Sequence, residues 1–382
     1  MKKKLLTFGS YVLVAVLASV LTMASTGGIA AGSSKLAQLE DLILERFIAG
    51  ADQTELEDAA AAAMVAATGD RWSYYIPADE YETYQEQMAN AYVGVGITIL
   101  ASEDQTGFQI MEVTSDSPAE EAGIQADDVL IAVEGEDVTQ ADSDQVRNLV
   151  RGEEGTFVSL TVLRGEEELT LSVERRQIET AVAVGRMLDN TTGLVTISNF
   201  DSRCADETIA AIEDLLAQGA RKLIFDVRNN PGGYSDELVK VLDYLLPEGD
   251  LFRTERYDGQ EHVDRSDAEY LDVPMAVLVN GDSYSAAEFF AAALQEYDAA
   301  IVVGTQTCGK GYFQVTYQLE DGSAVALSIG KYFTPNGISL IDVGVTPDVE
   351  VEVDEDTALE IYYNRLDPQE DPQIQAARDA LE

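Results

Sequence analysis

The feature that most constrains the fold is a regular alternation of apolar strands and helical segments that begins at residue 193. Short apolar runs at residues 193–197, 223–227 and 276–279 predict strands, and residues 205–217 and 235–246 between them predict helices. A connection that contains a helix returns the chain parallel to the previous strand, with the helix on a face of the sheet. Further strands are expected at residues 301–303, 313–318 and 324–329. The pattern therefore predicts an α/β domain with a mixed sheet and crossover helices.

Residues 35–90 precede this domain and show a different pattern. Apolar side chains recur at helical spacing in residues 39–47 and in the alanine-rich stretch 56–67. Residues 69–75 interrupt the repeat with a turn, and a short helix is expected to begin at residues 77–80. We therefore predict an N-terminal helical segment.

Residues 91–177, between these two regions, contain short β-branched strands, glycine turns and two helical stretches. The region opens with a glycine-containing run, Val93-Gly94-Val95-Gly96-Ile97. Glycines let successive N–H groups converge on a peptide's terminal carboxylate, although ordinary β-hairpin glycines would explain an isolated run. Residues 117–124 and 128–130 supply a second signature, and together the two signatures resemble a PDZ domain. The resemblance implies that the run 93–97 binds C-terminal carboxylates.

The N-terminus has the pattern of an export signal. Lysines at positions 2–4 precede an uncharged run, residues 5–34, whose apolar part extends to Met23. About nineteen apolar residues are just enough to cross a hydrocarbon core, which favours an uncleaved anchor with its lysines inside. Small residues at positions 24–31 fit a cleaved signal peptide instead. In both cases the rest of the chain is expected outside the cytoplasm, at the membrane surface if the anchor is retained.

Charge and cysteine content exclude several kinds of partner. Acidic residues outnumber basic ones 70 to 24, which gives a formal net charge of −46. Such a surface repels nucleic-acid phosphates, so we expect no nucleic-acid partner and interpret the acidity as a solubility feature or an adaptation to the ionic habitat. The two cysteines, Cys204 and Cys308, show no metal-ligand spacing, so no metal or other cofactor is expected. Whether they form a disulfide stays open.

Few residues in this sequence can serve as a general base. The single histidine, His262, lies in a polar loop and no G-x-S-x-G turn accompanies it, which argues against a Ser-His-Asp triad. Lys310 follows an apolar strand, lies between glycines, and has no acidic neighbour in sequence nearer than Glu320. A lysine held in an apolar site loses the solvation of its ammonium form and can then accept a proton near neutral pH.

The candidate nucleophile lies where a strand ends and a helix begins, in residues 279–290. Ser285 stands at the predicted helix N-terminus, where the helix dipole favours developing negative charge, but an N-cap role explains Ser283 or Ser285 as well. Residues 228–233, Arg-Asn-Asn-Pro-Gly-Gly, follow another strand. Their glycines can present N–H groups to an oxyanion, and a capped turn is the alternative.

Three segments of the core together resemble one family of peptidases. They are residues 223–233, 277–288 and 304–314. The family is that of the C-terminal processing peptidases, or tail-specific serine proteases, in which a PDZ domain precedes a Ser-Lys catalytic core. The same order is found here, and the resemblance extends over nearly everything from residue 39 onward.

The resemblance assigns roles to individual residues by motif. The nucleophile is the serine three positions before the glutamate of an S-x-S-x-x-E pattern, which falls on Ser285 before Glu288, and the base falls on Lys310. Gln314 is implied to orient the amine. The oxyanion-binding amides are implied to be those of Ala286 and of Gly232 or Gly233. Three positions depart from the usual family residues without removing a catalytic atom: Tyr284, Ala287 and Cys308.

The predicted organisation has five segments: a signal anchor or signal peptide at 1–34, a helical segment at 35–90, an inserted PDZ domain at 91–177, a serine peptidase core at 178–353 and an acidic C-terminal tail at 354–382. The predicted function is a serine endopeptidase whose PDZ domain binds the C-termini of protein substrates, with Arg151 as a candidate for signalling to the core. The tail is interpreted as a docking or oligomerisation segment, so a homo-oligomer is also expected. The alternative is an anchored, inactive PDZ scaffold, against which the retained dyad residues argue.

Overall fold

The computed structural model describes residues 34–88, 91–102 and 106–382. The chain divides into two compact units, Met1–Pro77 and Ala78–Glu382. The predicted anchor or signal peptide lies outside the described residues except for its last position, Ser34. Within the described part of the chain, no helix combines the length and apolar character needed to span a bilayer.

The described part of the first unit, residues 34–77, is mainly helical. Its elements are α1 (Lys35–Arg46), α2 (Gln53–Ala66) and the short strand β1 (Tyr74–Ile76). The side chain of Ser34 accepts a hydrogen bond from the Ala37 amide at the start of α1, and Asp52 does the same for Glu55 at the start of α2. The predicted N-terminal helices are therefore confirmed, whereas β1 lies where a turn was expected.

The second unit opens with a helix and a β-rich region. Its elements are α3 (Tyr81–Met88), β2 (Ala91–Gly94), β3 (Ile97–Ala101), β4 (Phe108–Val113), α4 (Pro118–Glu121), β5 (Val129–Val133), β6 (Glu136–Asp137), α5 (Ser143–Val150), β7 (Phe157–Arg164), β8 (Glu167–Glu174) and β9 (Arg176–Glu179). Strands β3, β4, β5, β7 and β8 form an antiparallel sheet in that order, while β2 pairs with β9. Two short helices complete the mainly β domain that the sequence predicts.

The remaining elements form the α/β core. They are β10 (Ala183–Met187), β11 (Thr192–Ile197), α6 (Cys204–Gln218), β12 (Lys222–Asp226), α7 (Ser235–Leu245), β13 (Gly249–Arg256), β14 (Glu261–Ser266), β15 (Met275–Val279), α8 (Ala286–Glu296), β16 (Ala300–Gly304), β17 (Tyr312–Gln318), β18 (Ala324–Phe333), β19 (Val349–Glu350), α9 (Glu355–Tyr362) and α10 (Pro372–Ala380). The central sheet has the order β10-β11-β12-β15-β16-β19, with β10 antiparallel and the others parallel. The predicted mixed sheet with crossover helices is confirmed.

Two features of this core position the loops discussed below. The carboxyl ends of β11, β12, β15 and β16 meet at one edge of the sheet, the edge where open α/β sheets bind ligands. Helix α8 is buried along nearly its whole length, from Ala286 to Leu294, which holds its first turn rigidly at this edge. A second antiparallel sheet, β14-β13-β18-β17, packs against α8 through Phe252, Phe289 and Tyr332.

The predicted acidic tail contributes to the core. Helix α10 buries Ile374 and Ala377 against the face of the central sheet formed by Leu194, Ile224 and Leu278. Its apolar stripe is narrow and the sequence around it is rich in acidic residues, so the sequence alone suggested an acidic tail rather than a packed helix. The tail therefore covers one face of the sheet.

A buried charge cluster fastens this tail to the end of β12. The guanidinium of Arg228 donates to Asp226, with a 2.9 Å bond from Nε, and its Nη1 lies 2.8 Å from Oδ2 of Asp371. Gln373 accepts a further bond from Nη1 at 2.8 Å. Burial alone would lower the pKa of Arg228, but the two carboxylates raise it, so the guanidinium stays charged. These bonds therefore hold the first residue of the loop 228–233 in place.

Candidate active site

Ser285 lies in a sharp turn between β15 and α8. Its backbone has φ 58° and ψ −126°, a strained conformation for any residue that carries a side chain. Sharp strand-to-helix turns of this kind present a nucleophile at the start of a helix. The residue is only 6% exposed. The structure therefore holds this hydroxyl in a nearly dry position at the carboxyl edge of the sheet.

Ser283, the other serine of the motif, has a structural role. Its hydroxyl donates to the carbonyl of Val227 at 2.7 Å and accepts from the amide of Asn280 at 3.0 Å. The side chain is fully buried, so these bonds hold the turn against the end of β12. Ser283 fastens the turn, while Ser285 directly precedes α8.

The glycine loop 228–233 lies directly against Ser285. A Cβ atom placed on Gly232 would stand 2.7 Å from Cβ of Ser285 and 2.8 Å from the amide nitrogen of Ala286, so only glycine fits. The Gly232 amide donates to Oδ1 of Asn230 at 2.8 Å. The amides of Gly233 and Ala286 make no hydrogen bond within the part of the chain that the structure describes. Of the predicted oxyanion donors, those two have available N–H groups.

This close approach gives a stability prediction. We expect Gly232→Ala to lower the free energy of unfolding by about 2–4 kcal/mol, because it adds a steric clash to the cost of a positive φ. The matched control is Gly259→Ala, which has a similar φ of 78° and open space around it, and should cost only about 1 kcal/mol. Urea denaturation measures both. Equal losses would show that Gly232 does not touch the Ser285 turn.

Lys310 reaches the same edge from the loop between β16 and β17. Its Nζ lies 5.6 Å from the ring centroid of Tyr284, the residue before Ser285, and the side chain is half-buried. A ring at this distance attracts an ammonium group and shields one side of it from water. The amide of Cys308 donates to the carbonyl of Ser283 at 3.2 Å. The lysine loop and the serine turn are therefore in direct contact.

Glu288, on the first turn of α8, joins these two segments. Its Oε1 accepts from the hydroxyl of Thr307 at 2.5 Å and from the amide of Gly309 at 2.7 Å. Its Oε2 accepts from the amides of Lys310 at 2.8 Å and Ser285 at 3.1 Å. Burial raises the pKa of this carboxyl, while the four donors act in the opposite direction. One fully buried side chain thus fixes the backbone of both candidate catalytic residues.

Gln314 lies on β17, next to an irregularity in its pairing with β18. Its Nε2 donates to Oγ of Ser328 at 2.9 Å and to the carbonyl of Tyr312 at 3.3 Å. These bonds direct the amide nitrogen toward β18, so an interaction with an amine would use the amide oxygen. The role of Gln314 in orienting Lys310 stays a prediction.

His262 and Cys204 lie outside this arrangement, whereas Cys308 belongs to the lysine loop. The His262 side chain is 71% exposed on β14, and its Nε2 lies 3.0 Å from Oδ1 of Asp264. No disulfide joins Cys204 and Cys308. Burial raises the pKa of Cys204 to about 12, which keeps that thiol protonated.

The glycine run of the β-rich domain borders a groove of about 280 Å³. Gly94, Val95, Gly96 and Ile97 line it, whereas Val93 pairs with Gln177 of β9. Within the described residues, the amides of Val95 and Gly96 make no hydrogen bond. Two successive unpaired N–H groups beside an apolar groove suit a carboxylate at the end of an extended peptide.

Sequence reasoning overlooked the side chains that hold the site together, of which Glu288 is the most important. In the sequence analysis, Glu288 was used only to locate the S-x-S-x-x-E pattern. Its spacing of three residues from Ser285 is that of a capping box, which predicts a side chain that accepts a hydrogen bond from the N-cap amide. Its bonds to Thr307 and Gly309 join segments about twenty residues apart, and no local pattern predicts such contacts.

Comparisons with known proteins identify the family of this arrangement. Residues 191–351 match peptidase family S41, and residues 109–164 match the PDZ domain family. A probable CtpA-like serine protease of Staphylococcus aureus (strain N315) is 31% identical over 338 residues, which cover 87% of this chain and 68% of that protein. This chain belongs to the CtpA-like serine proteases of family S41. The predicted family of C-terminal processing peptidases is thereby confirmed.

Other proteins are similar to this chain in sequence or in fold. A probable CtpA-like serine protease of Staphylococcus haemolyticus (strain JCSC1435) is 36% identical over 301 residues. The matched region covers 78% of this chain and 60% of that relative, so this chain spans less than two thirds of the relative's length. The photosystem II D1 C-terminal processing protease has a similar structure, with a TM-score of 0.51 and 26% identity over 84% of this chain and 87% of that one. A putative S41 protease from Bacteroides fragilis shares the fold, with a TM-score of 0.53, at 18% identity over 75% and 82% of the two chains.

Proposed function

We propose that this chain is an exported serine endopeptidase in which Ser285 is the nucleophile and Lys310 its general base. The observation that carries the proposal is the Glu288 carboxylate, which binds the amides of both residues. Two loops from different strands are fixed relative to one another, with Nζ of Lys310 5.6 Å from the ring centroid of Tyr284. A general base must be positioned beside its nucleophile in this way.

The reaction that fits this arrangement is acyl transfer. Neutral Lys310 takes the proton of the Ser285 hydroxyl as Oγ attacks the scissile carbonyl, and the amides of Gly233 and Ala286 stabilise the oxyanion. Lys310 then returns the proton to the departing amine, and a water molecule hydrolyses the acyl-enzyme by the same base catalysis. The steps use only groups of this chain and water, so the proposed mechanism includes no metal or other cofactor.

The proposed substrates are proteins outside the cytoplasm, bound through their C-termini. The groove with the free amides of Val95 and Gly96 is the proposed site for the terminal carboxylate. The structural relative named above is a C-terminal processing protease of the D1 protein, and we propose the same class of chemistry here. We place the enzyme at the outer face of the membrane, held by residues 1–34, or secreted if they are cleaved. Assembly into a homo-oligomer stays a prediction.

The test uses one unfolded protein with a free or an amidated C-terminus. We expect the full chain to cleave the free form, and to cleave the amidated form about 10- to 100-fold less efficiently in kcat/KM, because a carboxylate forms the stronger hydrogen bonds. A Ser285→Ala chain should bind the substrate and leave it intact. Cleavage by Ser285→Ala would refute the assignment. Binding without cleavage by the unmodified chain would favour the inactive scaffold.

A further inference from the structure

The peptide groove contains an ion pair that the proposed function does not use. Arg151, which follows α5, lines the groove, and its Nη1 lies 2.8 Å from Oε2 of Glu86 on α3. The guanidinium also lies over the ring of Tyr92, 5.3 Å from its centroid. The two charged side chains are 25% and 24% exposed, so water screens this pair less than it would a surface pair.

Arg151 lies where a positive charge could bind a peptide's terminal carboxylate. It borders the same groove as the unpaired amides of Val95 and Gly96, so a carboxylate bound by these amides lies near its guanidinium. The groove's other arginine, Arg147, is 3.1 Å from Asp144 and more exposed. In a chain with a net charge of −46, a groove that binds a carboxylate needs local positive charge. Arg151 is the better placed of the two to supply it.

We propose that Arg151 exchanges partners when a peptide binds, so that the peptide's terminal carboxylate displaces the carboxylate of Glu86. Glu86 is thus an internal competitor that sets the affinity of the groove. This inference rests on one part of the proposed function, the binding of C-termini by the groove, and not on the catalytic dyad. The exchange replaces one carboxylate by another, so the guanidinium is not left buried without a counter-ion.

Contacts of α3 keep the competitor in place. The hydroxyl of Tyr84, two residues before Glu86, lies 3.0 Å from Oγ1 of Thr316 on β17, and the rings of Tyr81 and Tyr84 stack. A carboxylate held on an anchored helix competes at a high effective concentration, whereas a free peptide competes at its own concentration. Only peptides that make further contacts in the groove then bind well. The ion pair of Arg151 and Glu86 therefore prevents binding of peptides whose C-terminal residues make few contacts.

The test measures peptide affinity in the Ser285→Ala chain, so that no peptide is consumed. A labelled peptide ending in a free carboxylate should bind about fivefold or more tightly to the Glu86→Gln variant than to its parent. The matched control is Glu82→Gln, the same substitution at an exposed position of the same helix, which should change affinity less than twofold. In an Arg151→Gln background, Glu86→Gln should give no gain, because the site of competition is gone.

Four results would overturn the exchange. The first three are an unchanged affinity in Glu86→Gln, an equal gain in Glu82→Gln, and a gain that persists without Arg151. The fourth is an equal gain for an amidated peptide, since the competition is between carboxylates. A thermal melt of each variant shows whether it is folded. These binding results are independent of proteolysis, so a failure of the dyad would appear only in the cleavage experiment above.

Discussion

Replacement of Lys310 by alanine should lower kcat for peptide-bond cleavage by about 10³-fold or more, with the fold retained. The amine is the proposed acceptor of the Ser285 proton, and enzymes that lose a member of such a catalytic unit lose most of their rate. The side chain is half-buried at the edge of the site, so its removal leaves no large cavity in the core. Initial rates on a labelled unfolded protein measure the effect.

Two companion variants separate basicity from charge. Lys310→Arg keeps the positive charge but cannot accept a proton, since a guanidinium does not deprotonate in proteins, so it should be as inactive as Lys310→Ala. Lys331→Ala removes an exposed lysine from β18 and should leave the rate within about twofold. Substantial activity in Lys310→Arg would mean that the residue contributes only charge, and the proposed base would have to be abandoned.

Glu288→Gln should have the second largest effect, on both stability and rate. The carboxylate accepts four hydrogen bonds, whereas an amide group places a donor where one oxygen stood. At least one buried donor then loses its acceptor, which costs about 2–4 kcal/mol of unfolding free energy. Because the Ser285 and Lys310 amides would shift, kcat should fall about 100-fold. Urea denaturation and initial rates measure the two effects.

The pH dependence of stability supplies a second readout for Glu288. Burial raises the pKa of this carboxyl in the folded chain above its ordinary value of 4.5. A raised pKa stabilises the fold at low pH, and this contribution declines as the pH rises from 4.5 through the raised value. The decline should disappear in Glu288→Gln and persist in Glu320→Gln, an exposed control. An identical pH profile in all three chains would show that Glu288 is not the titrating group.

The sequence predicts the architecture well because hydrophobic periodicity follows burial. The apolar strands β12, β15 and β16, which end at residues 226, 279 and 304, lie side by side in the central sheet, so the loops that follow them meet at one edge. For this reason Gly232, Ser285 and Lys310 come together, although they are far apart in the chain. Helical spacing likewise predicted α1 and α2, and the alternation of strands and helices predicted α7.

Long-range polar contacts could not be predicted from the sequence. Nothing local shows that Glu288 bonds to Thr307 and Gly309, or that Asp371 of the acidic tail pairs with Arg228. Such contacts depend on the final packing of α8 and α10, and acidic residues in a chain with 70 of them look alike until the fold is known. The groove pair of Glu86 and Arg151 was missed for the same reason.

The central claim is that Lys310 activates Ser285, and covalent labelling tests it most directly. The full chain is treated with a serine-reactive phosphonate, and the adduct is located by mass spectrometry of its peptides. We predict a single adduct on Ser285, formed at least about 100-fold more slowly in the folded Lys310→Ala chain. Labelling at another residue, or labelling of Ser285 at the same rate without Lys310, would contradict the account.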